Sequence, residues 1–336
     1  MTPTAPRKIP HTALAMLCAA AITLGAPAQQ TASTEESGRV DPPSERLQFD
    51  ARWLPVRPRT PEGPYPNLPR DWQPIANPRI EVPSNRPLEG LRICIDAGHG
   101  GHVWGPTHGY VAGTRGADTG FSESEANLRA ALFLWDLLTQ AGAEVVMTRT
   151  RPDRLTEDDS SARIELHARV AKADDENCDY FLSIHHNAPA PNQPRDVNYT
   201  SVYYFDTSQY NDEYNRDPVY VPRHHDEELN RERCDLALAI QEALSRRLDL
   251  PPIRVPEQWA EHFGHGVPHG DFHVIRETDL PAVLVECSFM THPDEDRRLN
   301  DPARAKQEAL GIFEGILAHF RTHPIRRWSG QADVTP

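Results

Sequence analysis

The stretch ICIDAGHGGH, Ile93 to His102, decides how the rest of the chain is read. A short apolar run ends in Asp96, two small residues follow, and His99 then stands between glycines. A short apolar run of this length reads as a strand. The glycines let backbone approach closely and accept unusual dihedrals around the imidazole. From Pro87 onward, strand-like runs alternate with helical patterns of ten to twenty residues. Strands are predicted near 91–96, 144–149, 180–185, 201–205, 271–275 and 282–286. Helices are predicted over Glu123–Ala141, Ser161–Asp174, Glu227–Leu248 and Pro302–Thr322, where apolar residues recur at three- and four-residue spacing. This alternation predicts an α/β fold: a twisted, mainly parallel sheet of about six strands with helices on both faces, in a single catalytic domain.

In such sheets ligands bind beyond the carboxyl ends of the strands. His99 follows the first predicted strand, His185 closes the third and Glu286 closes the last. A catalytic zinc takes three protein donors and keeps one position open. His99 and His185 supply two imidazoles, and Glu123, opening the helix ESEANLRAALFLWDLL, supplies a carboxylate. Donors so far apart carry little weight alone in a chain with 16 histidines. Asp96 has two readings that stay open, a partner that holds the loop or orients the ring, and a carboxylate that only caps the turn. HFGHGVPHGDFH places His262, His265, His269 and His273 within twelve residues. Glycine and proline break any helix that would align them, so the tract reads as a rim loop rather than a second metal site.

Composition narrows the partners. The 336 residues carry a formal charge of −14, which disfavours nucleic acid and anionic lipid. Residues 1–28 combine Arg7 and Lys8, an apolar segment and Ala26-Pro27-Ala28, the pattern of a cleaved signal peptide, so the chain is expected to be exported to the periplasm or secreted. The apolar segment is shorter than the ~20 residues that span a bilayer, so no integral span is expected after cleavage. Proline crowds residues 29–87, which read as an extended linker, and 324–336 read as a flexible tail; the catalytic domain occupies 88–323. Cys94, Cys178, Cys234 and Cys287 form no CxxC pair and read as buried free thiols at least as readily as disulfides.

IDAGHGG, ESEANL, FLSIHHNA and LPAVLVECSFMTHPDED, in this order, resemble the zinc-dependent N-acetylmuramoyl-L-alanine amidase family over about Leu91 to Phe320. The resemblance implies hydrolysis of the amide between the lactyl group of N-acetylmuramic acid and L-alanine, on peptidoglycan or muropeptides. It implies one zinc per chain, held by His99, Glu123 and His185, with Glu286 as the catalytic glutamate. Glu123 takes the ligand position because Asn127 and Leu128 then complete Glu-x-x-x-Asn-Leu; Glu125 puts the asparagine two residues early. Arg163 and Arg169 resemble structural residues of the family. His186 is expected to point to the other side of its strand, and Cys287 to turn into the core. Asn187 and Arg276 stand as candidates for substrate contact. The sequence departs from the pattern at His292, where asparagine is more usual, and in two long stretches, His102–Phe121 and Pro189–Asp226. Two other functions use the same features: an exported zinc peptidase acting on stem peptides, and a peptidoglycan-binding module without catalysis. A regulatory partner is compatible with either, and nothing in the sequence specifies one.

Overall fold

The computed structural model describes residues 85–100, 113–151, 153–156, 161–190, 194–209, 225–254 and 267–328. The predicted signal peptide, most of the linker, His262, His265 and parts of the two long stretches lie outside the described residues. In chain order the elements are β1 (Arg92–Ala97), α1 (Glu123–Gln140), β2 (Glu144–Met147), α2 (Ala162–Asp175), β3 (Tyr180–Asn187), β4 (Ser201–Tyr204), α3 (Glu227–Leu248), α4 (His273–Arg276), β5 (Ala282–Phe289), α5 (Pro293–Leu299) and α6 (Pro302–Thr322).

The strands form one sheet in the order β2-β1-β3-β5-β4. β2, β1, β3 and β5 run parallel, and β4 closes one edge antiparallel to β5. The three interior strands, β1, β3 and β5, carry apolar runs because both faces are covered; β5 is buried at every position. Alternation then sorts the side chains. Tyr180, Leu182, Ile184 and His186 of β3 face the helices α1, α3 and α6, where Tyr180 Oη donates to Glu232 at 2.7 Å. Ser183 and His185 face α2, and parallel register sets Asp96 beside Ser183 and Glu286 beside His185 on that same face.

Helix starts follow local chemistry. Ser161 Oγ accepts from Ile164 N at 3.3 Å, Asp226 accepts from Glu228 and Leu229 N at 2.9 Å each, and Pro293 and Pro302 occupy first turns where no N–H is needed. His292, the departure noted above, caps α5 by accepting from Asp294 N at 3.3 Å.

Among the described residues one predicted strand, 271–275, is absent, and the sheet has five strands and not six. The chain at 268–270 meets the free edge of β4 for a single bridge, with Gly270 N donating to Tyr204 O at 2.8 Å. It then turns into the one-turn helix α4, which buries the adjacent residues Val274 and Ile275. Residues 324–328, assigned to the tail from sequence, lie against the domain: Trp328 is buried and its backbone N–H donates to Asp179 at 3.2 Å.

Candidate metal centre

His99 leaves β1 two residues past its end with φ at 60°, in the left-handed region that a non-glycine residue rarely adopts. Surrounding bonds hold it there. Arg169 donates to His99 O at 2.7 Å and Ala97 O at 2.9 Å, and Arg149 donates to Ala97 O at 2.8 Å and Gly98 O at 2.9 Å. Asp96 anchors the arrangement by accepting from Arg169 at 2.8 Å, Thr148 at 2.8 Å and Ser183 at 2.7 Å. Burial pushes the Asp96 carboxyl up, but the Arg169 charge and these donors bring it below its ordinary value. Arg169 thus bonds Asp96 and the His99 loop together.

Glu123 begins α1, one residue past the N-cap Ser122, and is 4% exposed. Its Oε2 accepts from Thr114 N at 2.8 Å, which leaves Oε1 facing His99 Nε2 and His185 Nδ1, each at 3.1 Å. These three donor atoms lie within 4.8 Å of one another. The imidazoles meet edge to face with centroids 4.9 Å apart. Burial raises the Glu123 carboxyl, yet the two histidines hold it well below the usual carboxylate range. Burial lowers His185, favouring the neutral ring that a metal requires. Glu125 turns elsewhere and pairs with Arg129. Two glycines make room: a Cβ on Gly98 would clash with the His185 ring, 2.7 Å from its Cδ2, and one on Gly113 would stand 2.8 Å from His99 Cδ2.

Glu286 shares a face with His185, and its Oε2 is buried with no hydrogen-bond partner among the described residues. Burial, then the nearby Glu123 charge, push its carboxyl well above the ordinary value. Two nitrogens and one carboxylate oxygen converging beside an unspent carboxylate match the donor set of a catalytic zinc. Ala162, Leu166 and Val274 line the cleft beside His99 and His185.

The other candidates are placed as follows. Asn187 ends β3, where its Oδ1 accepts from Ala188 N at 2.8 Å. Arg276 spends its guanidinium on Asp271 and on Glu277, the latter at 2.7 Å. His186 points to the helix side and Cys287 into the core, and all four described cysteines are free and buried. His269 and His273 belong to neither of the two groups of donors that lie close enough to share an ion among the described residues. Burial lowers each to about 4. Arg149 was not singled out from sequence; the signal was an arginine just past the strand EVVM, aimed at the same end of the sheet as His99.

A family model described as N-acetylmuramoyl-L-alanine amidase matches residues 93–318. The chain belongs to this family. It is 26% identical over 234 residues to YqiI of Bacillus subtilis, an uncharacterized protein, covering 70% of this chain and 87% of that one. It is 24% identical over 237 residues to the probable cell wall amidase LytH of Staphylococcus epidermidis, covering 70% of this chain and 61% of LytH, so the chain spans under two thirds of that relative. Among solved structures, the N-acetylmuramyl-L-alanine amidase Ami1 of Mycobacterium smegmatis shares the fold with a TM-score of 0.52 at 19% identity, over 70% of this chain and 99% of that one.

Proposed function

We propose that this amidase is zinc-dependent and cuts the amide between the muramic acid lactyl group and L-alanine of peptidoglycan. His99, Glu123 and His185 would hold the metal and Glu286 would be the catalytic residue. The observation that carries this is the convergence of His99 Nε2, His185 Nδ1 and Glu123 Oε1 beside the unpartnered Glu286 Oε2. Zinc bound there supplies a Lewis acid that polarises the lactyl carbonyl and lowers the pKa of attacking water. Glu286 accepts the water's proton and returns it to the departing alanine nitrogen, and a buried carboxyl with a raised pKa suits that two-way transfer. Asp96, Arg169 and Arg149 keep the His99 loop in place, so the imidazole does not reorganise during turnover. Asn187, at the end of β3, and Arg276, whose charge is already matched by two carboxylates, remain the candidates for substrate contact. Residues 1–28 direct export, and the enzyme meets its substrate in the periplasm or outside the cell.

Digestion of purified sacculi followed by mass spectrometry tests the assignment. The expected products are stem peptides with a free N-terminal L-alanine and glycans with a free lactyl carboxylate. Chelation should abolish release, and one equivalent of zinc per chain should restore it. Cleavage within the stem peptide would make the chain a peptidase, and binding without release would make it a wall-binding module.

A further inference from the structure

Behind the proposed centre, on the opposite face of β3, three polar side chains are sealed in the core. Asn127 is 0% exposed, and the His186 and Glu308 side chains are also 0% exposed. We infer that His186 and Glu308 are positioning residues for the zinc centre, acting through Asn127 on Glu123 and the His99 loop; this rests on the metal reading above.

The bonding order can be worked out link by link. Asn127 Nδ2 lies 3.1 Å from Gly98 O and 3.5 Å from Glu123 Oε1. A carbonyl oxygen only accepts, so that atom is the amide nitrogen and Oδ1 is the acceptor that faces His186 Nδ1 at 2.7 Å. His186 Nδ1 therefore carries a hydrogen. Its Nε2 faces Glu308 Oε1 at 3.1 Å, and Arg304 stands 3.7 Å from that same oxygen. The imidazole is thus held at both nitrogens, and its orientation sets which end of the Asn127 amide faces the centre. Turning the amide over would place an oxygen against Gly98 O and Glu123, repelling both the ligand carboxylate and the loop that carries His99. The path runs from α6 through β3 to the first turn of α1, spanning elements distant in sequence.

Burying an imidazole, an amide and a carboxylate costs more than filling the same space with apolar side chains. A core needs no such group; a metal centre gains from outer partners that fix ligand orientation, typically about 10–100-fold in affinity. His186, Cys287 and Glu308 also present nitrogen, sulfur and oxygen within 4.8 Å, the makings of an ion site of their own. Against it, both His186 nitrogens are already engaged, and the Arg304 guanidinium adds positive charge beside Glu308.

The test measures zinc affinity of the full chain by chelator competition, with the melting temperature of the zinc-free protein alongside. His186→Leu and Glu308→Leu should stay folded and bind zinc about 10–100-fold more weakly. Glu308→Gln, whose amide can accept from a protonated His186 Nε2 or donate to an unprotonated one, should bind zinc as the wild type does. That rescue separates positioning from a bare packing role. Should the leucine variants not fold, His186→Asn carries the same expectation, being polar but too short to span from Asn127 to Glu308. Folded variants with wild-type zinc affinity overturn the inference while leaving the zinc reading intact. A second zinc equivalent in the wild type, lost in Cys287→Ser, overturns it in favour of an ion at His186. A wild type that binds no zinc overturns both.

Discussion

Gly98→Ala adds one methyl group to a position where the structure leaves no space for it. The Cβ would stand 2.7 Å from His185 Cδ2 and closer still to the far side of the ring. Ordinary contact between carbon atoms needs about 3.5–4.0 Å, so one partner has to withdraw by about 1 Å or more. The Gly98 backbone is the fixed partner: its N donates to Ile184 O at 3.0 Å, and its O accepts from Arg149 at 2.9 Å and Asn127 at 3.1 Å. His185 therefore moves, and its Nδ1 leaves Glu123 Oε1. A displacement of about 1 Å at a reacting centre costs about 10²-fold in rate. Both kcat/KM on muropeptides and zinc affinity should fall by about that factor or more. The zinc-free melting temperature should change little, since Gly98 has no left-handed φ to protect and the ring stands at the cleft. Isothermal titration with zinc, muropeptide release and thermal denaturation read the three quantities. A Gly98→Ala protein with one zinc and near-normal turnover would refute the reasoning, because His185 would then not need the place it occupies.

Glu286→Gln keeps size but loses the proton acceptor, so turnover should fall about 10²–10⁴-fold while metal analysis finds zinc unchanged; loss of zinc would make Glu286 a ligand instead. Glu123→Ala should lose zinc and Glu125→Ala should retain it, as measured by metal content after dialysis; the opposite result overturns the helix register. His269 is buried and lowered to about 4 from 6.5, with Nδ1 accepting from Asp206 N. The unfolded chain binds the extra proton first, so the stability His269 contributes is full above pH 6.5 and is lost as pH falls toward 4, by about 3 kcal/mol. Denaturant titrations at pH 7 and 4.5 should show that loss shrinking in His269→Gln, with the part due to His273 remaining; an unchanged loss would assign it elsewhere.

The fold class and four helices were legible because each depends on local pattern. The stripes of Glu227–Leu248 and Pro302–Thr322 have the 3.6-residue period, and the runs around Ile93, Leu182 and Val283 have the length and flanks of strands buried on both faces. The segment 271–275 was misread for the same reason. DFHVI has strand-like residues, but whether a strand forms depends on an edge to pair with, and the chain bridges β4 only at His269, just before this segment, and then turns away. Burial of Trp328 was equally invisible, since its partner Asp179 lies far back in the chain.

At the centre, sequence alone placed His99 just past its strand and His185 and Glu286 at the close of theirs, although β3 runs on to Asn187 and β5 to Phe289; Glu123 over Glu125 followed from the family resemblance, through its spacing to Asn127. Parallel strands with helical crossovers bring such ends to one edge, so identity and rough place follow from order along the chain. Only the tertiary structure decided what holds them. Arg169 reaches Asp96 from 73 residues away, Thr148 reaches it from 52, and Glu308 meets His186 across 122. Contacts of that span leave no periodicity in the sequence, because hydrogen bonding in a buried site depends on which faces meet after the sheet is assembled. The arginines, the Asn127 amide and the sealed histidine behind it therefore took their roles only once the chain had folded.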